Sequence, residues 1–153
     1  MKPFAFVFPG QGSQSVGMLD AWGDHPAVRR TLEEASAALA EDVGRLIREG
    51  PKEALELTTN TQPVMLTAGI AAWRAYVASG GPQPVLLAGH SLGEYTALVA
   101  AGAIAFRDAV PLVRFRAQSM QDAVPAGVGA MAAIMGAPDD ESVIAACAEA
   151  AQG

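Results

Sequence analysis

The chain has 153 residues, the size of one ordinary domain, and 51% of them are apolar against 17% charged, which suits a buried core and excludes a disordered chain. A net charge of -6 argues against a nucleic-acid binder, which would carry a basic face, although one local arginine could still hold an anionic substrate. The single cysteine, Cys147, excludes an internal disulfide and gives no metal-ligand spacing, so a reducing compartment fits and neither metal nor cofactor is expected.

The opening MKPFAFVFPGQG has one lysine and no small-residue cleavage pattern, and it reads as the first strand of a cytoplasmic protein. Phe4 to Phe8 is an aromatic and β-branched run ended by the Pro9-Gly10 turn. Pro26 suits the first turn of a helix whose apolar positions Val28, Leu32, Ala35 and Leu39 recur at helical spacing. Gly50-Pro51 separates two short helices. Thr61 is then a candidate N-cap for a helix from Pro63 to Ser79, which is apolar on most faces and should be buried against a sheet.

Pro84 to Ala88 reads as a strand in the middle of a parallel sheet with helices on both faces. Ser91 to Ala101 follows as a helix closed by Gly102. Asp108 is a candidate cap for the next helix, since Pro111 is comfortable only in a first turn, and Pro125 with Gly127 ends that helix. Neither 64–73 nor 98–106 approaches the roughly 20 apolar residues a bilayer span requires.

The order is α/β. Gly129 to Gly136 (GAMAAIMG) reads as a further strand, and a helix from about Glu141 to Ala151 follows Asp139 and Asp140. A lone strand and helix make no stable layer, which favours a second unit over a strand joining the main sheet, with a division into 1–127 and 128–153. Every Lys and Arg lies at or before Arg116, so the last quarter is acidic: solvated surface, or a face for basic partners.

Three elements carry chemistry. The first is Gly89-His90-Ser91-Leu92-Gly93 between strand and helix, the pattern of a serine held on a sharp elbow as a nucleophile. The plainer alternative is a serine capping a helix. On the nucleophile reading the Leu92 N–H is the expected oxyanion donor. A serine needs a base, and the two histidines serve poorly: His90 should point away from its neighbour's hydroxyl and line the pocket or pack, and His25 sits at a helix entry. The base is therefore expected outside this chain.

The second element is Pro9-Gly10-Gln11-Gly12-Ser13-Gln14, which lacks the third glycine of a dinucleotide fingerprint and the lysine of a P-loop. It is either an ordinary tight loop or a carrier of a backbone donor beside the nucleophile, since ligands of open α/β sheets bind where the strands end. The third is Arg116. Val110, Val113, Ala117, Met120 and Val124 form one helical stripe, and Arg116 projects beside it while Arg114 shares its flank with Gln118 and Gln121, so Arg116 should be the more buried. Its anionic partner is a structural carboxylate or a substrate.

Together FVFPGQGSQSVGM, TNTQPVMLTA, LLAGHSLGEYTALVAAGAI and the Arg116 helix resemble, in order and spacing, the malonyl-CoA:acyl-carrier-protein transacylase family and the related acyltransferase domains of polyketide synthases. The resemblance implies an α/β-hydrolase-like parallel-sheet core with a nucleophile elbow and the start of a small ferredoxin-like α+β subdomain. It implies Ser91 as acyl carrier, Gln11 and Leu92 as oxyanion donors, Arg116 as partner of the malonyl carboxylate, and Gln62 and His90 lining the pocket. Malonyl-CoA and acyl carrier protein would be the partners of a monomer active in fatty-acid biosynthesis. Family members run further and bring the catalytic histidine later, so the chain is similar to their N-terminal part. The alternatives are a serine esterase or thioesterase, and a non-catalytic fragment that binds acyl carrier protein.

Overall fold

The computed structural model describes residues 2–124, 136 and 139–151. The chain divides into two compact units, Met1–Ala123 and Val124–Gly153. The expected strand over 129–136 lies, but for Gly136, outside the described residues.

In the first unit, strand β1 (Ala5–Phe8) pairs in parallel with β2 (Leu86–Gly89), with Ala5 opposite Leu86 and Phe8 opposite Gly89. Alternation along β1 assigns its faces. Phe6 and Phe8 turn inward, where the Phe6 ring meets Trp73 at 5.2 Å and Tyr76 at 5.3 Å between centroids. Val7 turns outward and is 68% exposed, with Val85 and Leu86 exposed as well. This corrects the expectation of a strand covered on both faces: the described sheet has two strands and an open apolar side. The second strand also begins two residues later than expected, although Val85 already donates its N–H to Phe4 O just ahead of it.

Helices α1 (Pro26–Leu39), α2 (Val43–Glu49), α3 (Lys52–Glu56) and α4 (Thr58–Ala78) link the strands, after a single 3-10 turn at Asp20–Trp22. His25 caps α1, its Nδ1 accepting from the Ala27 N–H at 3.2 Å, in keeping with a helix-entry residue. The α4 helix is apolar nearly all round and correspondingly central: Val64, Leu66, Ile70 and Ala71 are at most 1% exposed, and it packs on α1, α3, α5 and α6. Val64, Leu66 and Ile70 each contribute about 1.5–3 kcal/mol by leaving water. Arg74 of α4 donates to Glu34 at 2.7 Å and to Thr31 at 3.2 Å on α1, and lies 4.8 Å above the Phe106 ring.

Two helix starts differ from expectation in the same way. The α4 helix begins at Thr58, and α6 (Phe106–Ala123) begins two residues before Asp108, so Pro63 and Pro111 each stand sixth in a helix. Thr61 is no cap: its hydroxyl donates to the Leu55 and Leu57 carbonyls, and the Asp108 N–H donates to Ala105 O. A proline at the sixth position leaves one carbonyl a turn earlier without its donor, and packing of α4 against α6 outweighs that loss. Between them, α5 (Leu92–Ala100) rises directly from β2.

In the second unit, α7 (Asp140–Ala150) is capped by Asp139, whose Oδ1 accepts from the Ser142 hydroxyl at 2.7 Å and from its N–H at 2.8 Å. The Ser142 hydroxyl, and then its N–H, hold the Asp139 carboxyl below the ordinary carboxylate range.

Candidate active site

The strand-to-helix elbow depends on missing atoms. A Cβ on Gly89 would fall into the backbone of Gly93 and Glu94, and one on Gly93 would fall into the Phe8 carbonyl. With both absent, α5 starts hard against the ends of β1 and β2, and the turn closes through His90 N–H to Phe8 O at 3.3 Å and Gly93 N–H to His90 O at 2.8 Å. Ser91 at the apex takes φ 54° and ψ -110°, a backbone conformation that side-chain-bearing residues rarely adopt and that costs on the order of 1–3 kcal/mol. Its side chain makes no capping bond to the helix. The hydroxyl instead stands exposed and accepts from Arg116 Nη2 at 3.1 Å.

The glycine-rich turn after β1 runs alongside. A Cβ on Gly10 would lie 2.9 Å from His90 O and 3.1 Å from its Nδ1, so bare backbone is what lets the turn approach. Gln14 Oε1 accepts from the Gly12 N–H at 2.8 Å, and Gln11 Nε2 donates to Thr58 Oγ1 at 3.3 Å, tying the turn to the start of α4. Among the described residues the N–H groups of Gln11 and Leu92 have no acceptor.

Arg116 is half-buried on α6 and uses both ends of its fork. Nη1 donates to Gln62 Oε1 at 2.6 Å while Nη2 reaches Ser91, and the guanidinium carbon sits 5.6 Å from the centre of the Tyr95 ring. Gln62 is fully buried, and its Nε2 donates to Met120 Sδ at 3.3 Å. Among the described residues Arg116 has no carboxylate partner. Arg114 differs: its side chain is only 26% exposed and its two Nη groups grip both oxygens of Glu41, at 3.0 and 2.6 Å. Arg114 finds this partner because α6 packs beside α1 and Glu41 lies just beyond that helix's end. What separates the two arginines is the anion that one has and the other lacks.

The structure therefore brings Ser91, Arg116 and Gln62 into one hydrogen-bonded chain, from the elbow and two helices, with Gln62 and Ser91 lying 54 and 25 residues before Arg116 in sequence. His90 joins none of it: its side chain packs at Gly10 and lines a shallow groove of about 400 Å³ with Pro9 and Ala88, and among the described residues it makes no bond to Ser91. Two members of the network had no place in the sequence reading of the site. Tyr95 and Met120 each lie four residues, one helical turn, beyond Ser91 and Arg116, so the same-face rule would have found them.

A serine on a strand-to-helix elbow, beside a second strand-end turn of a small parallel sheet, defines the chain as an α/β protein with an elbow serine where such folds can place a nucleophile. The chain belongs to the acyl transferase domain family, whose pattern matches residues 5–151. It is 56% identical over 154 residues to the malonyl CoA-acyl carrier protein transacylase of Escherichia coli strain K12, covering all of this chain and 50% of that protein. The same-named protein of Bacillus subtilis strain 168 is 52% identical over 89% of this chain and 43% of its own length. Among solved structures, an acyl-carrier-protein S-malonyltransferase from Burkholderia pseudomallei matches with TM-score 0.90 and 69% identity, over 99% of this chain and 49% of that one. A type II PKS acyl-carrier protein in complex with its malonyl-transacylase matches with TM-score 0.90 and 52% identity, over the same shares. The chain spans about half the length of the relatives it matches.

Proposed function

We propose that this chain carries the nucleophile, oxyanion site and carboxylate anchor of a malonyl-CoA:acyl-carrier-protein transacylase of fatty-acid biosynthesis. The observation that carries the reading is Arg116: a half-buried guanidinium, aimed at the serine and holding only neutral partners. In a malonyl ester of Ser91 the carboxylate carbon would lie three bonds of about 1.3–1.5 Å from the serine oxygen. A guanidinium 3.1 Å from that oxygen is within reach of such a short diacid, and its fork suits a carboxylate.

The reaction is a two-stage transfer. Ser91 Oγ attacks the thioester carbon of malonyl-CoA, and its proton passes to a base supplied from outside the 153 residues. The Gln11 and Leu92 N–H groups hold the oxyanion. The C–S bond breaks and coenzyme A leaves with the proton as its thiol. The pantetheine thiol of acyl carrier protein then gives its proton to the base and attacks the malonyl-serine ester, and Ser91 regains its hydroxyl as the C–O bond breaks. Throughout, Arg116 holds the free carboxylate, which orients the acyl group and selects it over neutral acyl chains.

The finer architecture belongs to the same reading: a hydrolase-like core to about residue 127, then the opening of a ferredoxin-like subdomain, in a monomeric cytoplasmic enzyme. No described helix is long and apolar enough to cross a membrane. Incubation with malonyl-CoA followed by intact-mass analysis, on this chain and on a chain extended to the relatives' length, tests the function. A malonyl adduct on Ser91 that passes to acyl carrier protein supports it. Release of free malonate in place of transfer would make the protein an esterase, and no adduct in either chain would leave a carrier-binding module.

A further inference from the structure

We infer that Met120 is a positioning residue for the acyl-carboxylate anchor, acting through the buried amide of Gln62; the inference rests on the malonyl reading of Arg116. An amide can present its oxygen or its nitrogen to a neighbour, and only the oxygen can accept from a guanidinium. Gln62 is fully buried, so its amide must be settled by protein partners. The Met120 thioether, an acceptor with no proton to give, takes the Nε2 end at 3.3 Å and leaves Oε1 for Arg116 Nη1 at 2.6 Å. Flipping the amide would set an NH2 group against the guanidinium and a carbonyl against a sulfur that cannot donate, losing both bonds. With Nη1 so fixed, Nη2 is left to reach Ser91, beside which the acyl carboxylate would lie.

Sulfur is a weak acceptor, yet it is the right one here. An oxygen of equal reach carried by a carboxylate would neutralise the site and compete for Arg116, whereas methionine directs the amide with no charge. Met120 is itself 37% exposed, so removing its sulfur opens no deep cavity.

Side-chain amide exchange of Gln62 by NMR, together with calorimetric binding of malonyl-CoA and of acetyl-CoA, tests the inference in wild type, Met120→Leu, Met120→Ala and Met120→Gln. Leucine matches methionine in volume without an acceptor, alanine removes the sulfur at small packing cost, and glutamine restores an uncharged acceptor. The expectation is Gln62 amide exchange at least about tenfold faster in the leucine and alanine variants. Their preference for malonyl-CoA over acetyl-CoA should fall by about tenfold, with acetyl-CoA binding unmoved and both effects largely rescued by glutamine. Unchanged Gln62 exchange in Met120→Leu and Met120→Ala would overturn the inference while leaving the malonyl reading in place. Wild-type protein that binds both thioesters equally, with Gln62 still answering to position 120, would overturn the malonyl reading and with it the anchoring role.

Discussion

Arg116 Nη2 lies 3.1 Å from Ser91 Oγ, so the guanidinium occupies the serine hydroxyl directly. On the proposed reading, an acyl carboxylate arriving beside Ser91 would meet this same Nη2 group. Replacing Arg116 with alanine should therefore affect acyl groups unequally. The expected loss is about 10–100-fold in malonyl transfer, the range of a charge-assisted hydrogen-bonded pair, with acetyl transfer spared or improved. Parallel rate measurements with the two thioesters check it, and equal loss for both would remove the anchor assignment.

Arg114, two residues away, should behave oppositely. Its bidentate grip on Glu41 ties α6 to the chain just beyond α1. Arg114→Ala should lower the unfolding free energy by about 1 kcal/mol, the upper end for a partly exposed pair. Its ratio of malonyl to acetyl transfer should match wild type, as chemical denaturation and the same rate assay would show.

Strain at Ser91 gives a stability signature. Ser91→Gly relieves the positive φ, whereas Ser91→Ala keeps it. After allowing for the greater freedom of glycine in the unfolded chain, the glycine variant should be more stable than the alanine variant by about 0.5–2 kcal/mol, with both unable to form an acyl-serine. Comparable midpoints in urea would mean that the elbow conformation costs little.

Methyl groups at the flanking glycines should be far less welcome. Gly93→Ala places a Cβ into the Phe8 carbonyl, backbone that cannot swing aside. A loss of about 3 kcal/mol or more is expected, at or beyond the usual range for overpacking. Thermal unfolding of this variant beside wild type provides the measurement.

The α7 cap should respond to acid. Ser142 holds the Asp139 carboxyl below its ordinary value of 3.8. A group whose folded pKa is depressed contributes stability that is present above its unfolded pKa and is lost as pH falls through the folded one. The cap should thus be intact at neutral pH and fail below about 3.8, while Asp139→Asn, which can still accept from Ser142, should show no such titration. Amide shifts of Ser142 followed from pH 6 to about 2 would reveal both behaviours.

The elbow was legible in the sequence because its requirements are local: two glycines, a strand before and a helix after. Arg116 was legible only in part. Helical flanks ranked it as more buried than Arg114, but they could not show that Arg114 pairs with Glu41, 73 residues distant, which no spacing rule connects. Pro63 and Pro111 misled in a related way, since propensity places proline in a first turn and only the packing between α4 and α6 extends each helix backward. Met120 fitted an apolar stripe well enough that its sulfur drew no attention as an acceptor.

The close approaches at Gly10, Gly89 and Gly93 have one more consequence. At Gly89 and Gly93 the nearest atoms are backbone, so no rotamer change can ease those contacts, whereas at Gly10 the turn also meets the His90 ring. The network around Arg116, by contrast, is built of side chains, with Tyr95, Gln62 and Met120 about the guanidinium. Warming should loosen the second before the first, and on the proposed malonyl reading the site would then lose its choice of acyl group while the elbow still stood.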